Sequence, residues 1–303
     1  MKVAMVGLVG RTNAGKSTIM NALVGEKVSI VSPVEQTTRN TIKGIVSDER
    51  GQLVIIDTPG LHKAVGPLGK LLNGMARASS MGVDILAVAF DASREPQLED
   101  DGWMRRVAKM AADEAPKMVF VLNKRDAKPF HAEAFKSLWG EMAEESSPSP
   151  AWVETSAIMG PDGVSPLMDE LFLLADEGEL LFPEDIVTDY PRKLAIADTV
   201  REKMLAKVFQ EVPHELGVLV KDIRERDNRW DVEVDIIVNR EGQKGIVIGP
   251  KAQNMKDVRA KAQRELSEMF GVRVNLELWV KVVPNWMKNP RMLAEMGYQG
   301  GLV

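Results

Sequence analysis

The sequence predicts an α/β protein in two parts: a mostly parallel sheet with helices on both faces, followed by a smaller α+β unit in the C-terminal third. Three observations predict it. Residues 84–91 and 117–122 are near-continuous apolar runs of strand length separated by a helical pattern, as expected of parallel strands covered on both faces. The glycine loop Gly10-Arg11-Thr12-Asn13-Ala14-Gly15-Lys16-Ser17 stands between a third apolar strand, residues 3–9, and a helical stretch, residues 18–24. Further on, two β-rich runs, 217–224 and 230–239, flank a polar turn and read as a hairpin beyond a proline-broken segment.

The 303 residues are enough for two domains, each with its own core. There is no cysteine, which excludes disulfides and thiolate metal sites and suits a reducing compartment. The N-terminus lacks a signal-like pattern and no run of about 18 apolar residues occurs, so a soluble cytoplasmic protein is expected. The net charge of −5 is divided unevenly: residues 1–191 carry 19 Lys+Arg against 28 Asp+Glu, and residues 192–303 carry 20 against 16. The basic C-terminal third is therefore the better candidate for a nucleic-acid contact.

Taken in order, the pattern G-x-x-x-x-G-K-S between strand and helix makes an anion cradle, because backbone N–H groups and the positive end of the helix dipole converge there. Residues Gly10 to Thr18 are the expected phosphate contacts; Lys16 would reach the β- and γ-phosphates and the Ser17 hydroxyl would ligate Mg²⁺. The polar segment Gln36-Thr37-Thr38-Arg39-Asn40 offers Thr38 as a hydroxyl that closes over Mg²⁺ and the γ-phosphate. Residues 41–46 and 52–56 read as two strands joined by a turn at 47–51, and the second ends in Asp57-Thr58-Pro59-Gly60. An acidic residue at the C-terminal end of a hydrophobic strand lies where open α/β sheets place ligands, so Asp57 would hold Mg²⁺ and the Gly60 N–H would meet the γ-phosphate. Lys16, Thr38 and Gly60 are thus the candidate catalytic set. Leu61 stands where some switch GTPases carry a water-orienting glutamine, and His62 reads as a solvated side chain rather than a base.

The run 117–122 ends in Asn123-Lys124-Arg125-Asp126, and this N-K-x-D pattern selects the base. The Asp126 carboxylate can accept from guanine N1–H and N2–H₂, donors that adenine lacks on that edge. Asn123 would tether loops around the site, and the Lys124 stem would lie across the base. A short strand, 152–154, leads to Thr155-Ser156-Ala157, whose backbone N–H groups, with Ser156 and Ala157 chosen as contacts, are offered to guanine O6; a helix over 166–175 follows. Residues 178–193, with two prolines and an acidic cluster, mark the boundary: residues 1–180 form the first domain, 181–193 a connector and 194–303 the second domain. In that second domain a helix covers 194–208, and after the hairpin a glycine- and lysine-bearing loop separates two helices before a final strand at 272–283. Lys244, Gly249, Pro250, Lys251, Ala252 and Lys256 are its candidate RNA contacts.

The ordered set 10–17, 36–40, 57–60, 123–126 and 155–157 resembles the five nucleotide-binding motifs of translation-factor-class GTPases, in the branch whose catalytic glutamine is replaced by an apolar residue. That resemblance implies GTP/GDP and Mg²⁺ as cofactors and a slow intrinsic rate. The C-terminal third is similar to a type II KH domain, an RNA-binding module, with Gly249-Pro250-Lys251-Ala252 standing as G-x-x-A in place of the module's G-x-x-G. Together with Phe182-Pro183-Glu184-Asp185, Arg240-Glu241-Gly242-Gln243-Lys244 and Leu276-Glu277-Leu278-Trp279-Val280-Lys281-Val282, the whole chain resembles the Era family of bacterial GTPases. The resemblance implies binding to the 3′ region of small-subunit ribosomal RNA, a role in 30S subunit maturation, peripheral contact with the inner membrane, and a monomer. A nucleotide kinase lacks N-K-x-D. An RNA-binding assembly factor with a vestigial nucleotide site and a related tRNA-modifying GTPase are the alternative readings.

Overall fold

The computed structural model describes residues 1–31, 40–57, 82–110 and 115–298. Thr38, Thr58, Pro59 and Gly60, together with Leu61 and His62, lie outside the described residues. Most of the chain up to Asp189 forms one compact unit and the chain from Tyr190 onward another.

In the first unit β1 (Lys2–Gly10) leads through the glycine loop into α1 (Lys16–Val24), and β2 (Ile42–Asp48) turns into β3 (Gly51–Asp57). β4 (Ile85–Asp91), α2 (Leu98–Ala108), β5 (Lys117–Asn123), α3 (Ala132–Met142), β6 (Ala151–Glu154), α4 (Pro161–Leu174) and the short β7 (Asp176–Glu177) follow. The strand order is β2-β3-β1-β4-β5-β6, with β7 antiparallel on β1. β1 is parallel to β3 and β4, β5 is parallel to β4 and β6, and only β2 runs antiparallel within that row. The apolar runs are buried because alternate side chains enter different layers. Leu86, Val88 and Phe90 pack with Met118, Phe120 and Leu122 against Trp103 and Met104 of α2 and Phe135 and Trp139 of α3. The rings meet edge-on, Phe90 with Phe120 at 5.3 Å and Phe120 with Trp139 at 5.0 Å between centroids, a preferred aromatic geometry.

Two boundaries differ from the sequence reading for identifiable reasons. α4 begins at Pro161, five residues before the expected start at Pro166, which lies inside the helix. Pro161 occupies the first turn, where proline is suited because that N–H has no helical partner, and Pro166 is carried inside the helix. The β2–β3 turn is also tighter than expected, with Asp48 paired to Gly51 and only Glu49 and Arg50 between them.

Residues 181–189, part of the expected connector 181–193, are hydrogen-bonded to β3 and to the edge strand β2. The Gln52 side chain, wholly buried, accepts from the N–H groups of Leu181 and Phe182 at 2.9 Å and donates to the Phe182 carbonyl at 2.9 Å. The Ile45 N–H donates to the Val187 carbonyl at 2.9 Å, and the Thr188 hydroxyl donates to the Lys43 carbonyl at 2.7 Å.

The second unit contains α5 (Arg192–Leu205), which starts inside the expected connector, then α6 (Val212–Glu215), β8 (Gly217–Arg226), β9 (Arg229–Val238), α7 (Glu241–Ile248), α8 (Gln253–Phe270), β10 (Arg273–Val282) and α9 (Pro290–Glu295). β9 is the central strand, antiparallel to β8 and parallel to β10. One sheet face buries Val232, Val234 and Ile236 with Ile196, Val200 and Met204 of α5 and Val258, Ala262 and Leu266 of α8. Trp286, fully buried, donates from its indole nitrogen to the Glu215 carbonyl at 2.9 Å.

Candidate functional site

Because β1, β3, β4, β5 and β6 are parallel, their C-terminal ends reach one edge of the sheet, the edge at which such folds hold ligands. Gly10 ends β1, Asp57 ends β3, Asp91 ends β4 and Asn123 ends β5. Residues 11–15 form the loop, and Lys16, Ser17 and Thr18 make the first turn of α1. A side chain at Gly15 is excluded twice over: its φ is +95°, and a Cβ there would stand 2.2 Å from the Asn123 amide nitrogen. The backbone must pass that close because the Asn123 amide donates to the Ala14 carbonyl at 3.0 Å.

Lys16 is buried, and its ammonium donates to the carbonyls of Gly10 at 3.2 Å and Arg11 at 2.7 Å. Burial lowers its pKa to about 8, the Asp57 charge working against that and the Arg11 charge with it. A desolvated cation with neutral acceptors, inside a loop of N–H groups at a helix N-terminus, is arranged to receive an anion. The Ser17 hydroxyl donates to Asp57 Oδ2 at 2.7 Å, and Ser29 donates to the same oxygen at 3.0 Å. This pair of hard oxygen donors suits Mg²⁺, which takes few protein ligands and keeps much of its water.

Asn123 joins three segments. Besides the bond to Ala14, its Oδ1 accepts from the Thr155 hydroxyl at 3.1 Å and the Ala157 N–H at 3.2 Å. Asp126 is exposed and its Oδ1 accepts from the Ser156 hydroxyl at 2.5 Å. The three backbone N–H groups offered to guanine O6 all have protein acceptors: Thr155 donates to the Leu122 carbonyl, Ser156 to the Gly163 carbonyl and Ala157 to Asn123. The bond from Ala157 is the longest of the three, so its N–H is the one most readily shared with a base oxygen.

Several residues that shape the site carried no motif. Asn21 accepts from the N–H groups of Val28 and Ser29 at 3.0 and 2.8 Å and donates to the Ser29 carbonyl at 2.8 Å, which fixes Ser29 against Asp57. Asp91 is wholly buried beside Arg11, Arg94 and Lys124. Burial raises its pKa, but hydrogen bonds from Lys124 and Ser93 and the charges of Lys124 and Arg94 outweigh that and bring it down to about 2. The signal for Asp91 was available, since it is an acidic residue closing an all-apolar strand, as Asp57 is.

In the second unit Lys244 lies on α7, residues 249–252 form the turn, and Lys256 lies on α8. Lys251 and Lys256 are exposed, and none of the three lysines is ion-paired with a described residue. Lys251 and Ala252 both adopt left-handed backbone, with φ of 51° and 58°. The position at which the sequence departs from G-x-x-G is therefore one where glycine is the unstrained choice.

Residues 5–124 match the family of 50S ribosome-binding GTPases, and residues 211–287 match the KH domain. A GTPase Era from Rippkaea orientalis is 35% identical over 300 residues, which span 98% of this chain and 93% of the relative. One from Geobacter sp. is 38% identical, with 97% of each chain covered. Among solved structures, a variant of Aquifex aeolicus Era bound to GDP and AlF4⁻ aligns with a TM-score of 0.89 at 35% identity, covering 98% of this chain and 99% of the other. An Era in complex with MgGDPNP and nucleotides 1506–1542 of 16S ribosomal RNA aligns equally well, with the same coverage and identity.

Proposed function

Since the chain belongs to the Era family of GTPases, we propose that it is a slowly GTP-hydrolysing switch that binds small-subunit ribosomal RNA and acts in 30S subunit assembly. The observation that carries the nucleotide half is Asn123: one side chain ties the phosphate loop at Ala14 to the Thr155–Ala157 segment, so that phosphates and base are read by a single connected frame. In this reading the N–H groups of residues 10–18 hold the α- and β-phosphates, and Lys16 exchanges its carbonyl partners for phosphate oxygens. Asp126, oriented by Ser156, takes the guanine donors. Ser17, Asp57 and Thr38 would hold Mg²⁺, and the ion would supply charge neutralisation at the β- and γ-phosphates. Thr38, Thr58, Pro59 and Gly60 complete the set as the γ-phosphate-sensing residues.

The RNA half rests on the KH match, the basic character of residues 192–303 and the lysines around residues 249–252. The relative's complex makes nucleotides 1506–1542 of 16S ribosomal RNA the ligand to use. The same reading gives a monomer in the cytoplasm with peripheral contact to the inner membrane; among the described residues no helix is long and apolar enough to cross one. RNA affinity measured with a GTP analogue, with GDP and without nucleotide tests the coupling: the three values are expected to differ, and equal values would remove the switch. Multiple-turnover phosphate release distinguishes it from a vestigial nucleotide site.

Ala252→Gly is expected to raise RNA affinity several-fold, because the left-handed turn is then unstrained and the backbone can approach a phosphate more closely. Stability should move by no more than about 1 kcal/mol, since relief of left-handed strain is offset by the greater chain entropy of glycine. An electrophoretic titration with the RNA segment, beside a thermal melt, checks both.

A further inference from the structure

We infer that Asp91 is a positioning residue of the nucleotide site, one carboxylate oxygen that holds the phosphate loop and the base-covering lysine in a fixed relation. Its Oδ2 lies 3.2 Å from Arg11 Nη2 and 2.8 Å from Lys124 Nζ, and Arg94 Nη2 approaches the same atom at 2.8 Å. Its Oδ1 is occupied by the N–H and hydroxyl of Ser93, at 3.1 and 2.5 Å, which fixes the carboxylate's rotation. The guanidinium of Arg11, the second residue of the glycine loop, is therefore committed to Asp91. Its Nε lies 3.1 Å from Asp100 Oδ2, and Asp100 also accepts from the Gln97 N–H at 3.0 Å. Arg11 thus anchors the loop to the start of α2, and Asp91 connects that anchor to Lys124.

The arrangement is charged but nearly balanced, three cations around two buried carboxylates. Removing the Asp91 charge would leave Arg11, Arg94 and Lys124 with Asp100 alone, and the two that can reach water, Lys124 and Arg94, would turn toward it. Among the described residues Lys124 has no other ion-pair partner for its ammonium. Its backbone is left-handed, with φ of +70°, an unfavourable conformation for a lysine that must be imposed by its surroundings. The bonds from the Ala127 N–H to its carbonyl and from the Arg125 N–H to the Thr155 carbonyl, both at 2.9 Å, supply that constraint, and the Asp91 carboxylate fixes the ammonium.

The inference rests on the reading of Lys124 as the lysine that covers the base, and a double-mutant cycle separates the two. GDP affinity is measured for the full chain, Asp91→Asn, Lys124→Ala and the double variant. Asp91→Asn is expected to weaken GDP about tenfold, the loss of one charge-assisted contact's worth of ordering. Lys124→Ala should weaken it at least as much, and the double variant should lose clearly less than the sum of the two, because part of the Asp91 effect passes through the lysine and the rest through Arg11. Fully additive losses would show that Asp91 does not act through Lys124 and overturn the inference, as would unchanged binding by Asp91→Asn. If Lys124→Ala binds GDP as the parent does, the base-site reading falls and takes this inference with it. Should Asp91→Asn lack a cooperative melt, Asp91→Glu keeps the charge but displaces it by a methylene. Several-fold weaker GDP binding by that variant supports the inference, and parental affinity overturns it.

Discussion

Replacing Lys16 by alanine is expected to abolish nucleotide binding while leaving the empty protein at least as stable as before. The two effects separate because of where the ammonium sits. In the structure it is buried, its hydrogen bonds among the described residues go to neutral carbonyls of its own loop, and its pKa is lowered to about 8. Folding without nucleotide therefore gains little from the charge, and its removal relieves a desolvation cost. Phosphate binding changes the balance, since the same ammonium then makes charge-assisted hydrogen bonds inside a water-poor loop. Two such bonds, at about 2 kcal/mol each, correspond to a loss on the order of 10³-fold in affinity. A thermal melt reads both effects together. GTP at about 100 times the parent's Kd should stabilise the parent by about 2.7 kcal/mol and the variant by almost nothing. A retained GTP-dependent shift would refute the assignment of Lys16.

The second large effect is a change of base preference in Asp126→Asn. A carboxylate presents acceptors to both guanine donors, whereas an amide sets its own NH₂ against one of them. The unmatched donor pair, desolvated on binding, should weaken GTP by about 10²-fold or more. Xanthine carries an oxygen at the position of the guanine amino group, so xanthosine triphosphate should gain affinity as GTP loses it. Asp126 is exposed, and Ser156 can hydrogen-bond an amide as well as a carboxylate, so stability should shift by no more than about 0.5 kcal/mol. Competition between the two nucleotides for the variant decides the matter, and undiminished GTP affinity would place base recognition elsewhere.

What could be read from the sequence was what is encoded locally. The strands around Gly10, Asp57 and Asn123 are apolar runs ended by a polar residue, and each motif brings its own chemistry wherever the fold delivers it. The KH unit was legible through its hairpin and the G-x-x-A turn, and the left-handed φ of Ala252 gives the anticipated cost of its Cβ a definite location. Contacts between distant segments were not legible. Nothing near Asn21 announces that it will fix Ser29 against Asp57, and Gln52 looks like an ordinary polar strand residue until residues 181–182 are seen against it. The engagement of the Thr155, Ser156 and Ala157 N–H groups was missed for the same reason, because Leu122, Gly163 and Asn123 reach them only in three dimensions.

The seat of residues 187–189 along β2 has a consequence for solubility. β2 is the outermost strand of its sheet, and an exposed strand edge is a template on which a second chain can add. Val187 and Thr188 occupy that edge from within the molecule, so the polypeptide that joins the two units also acts as a guard against intermolecular pairing. A chain nicked in this stretch would keep its sheet but lose the cover, and light scattering of the nicked material should report self-association that the intact chain does not show.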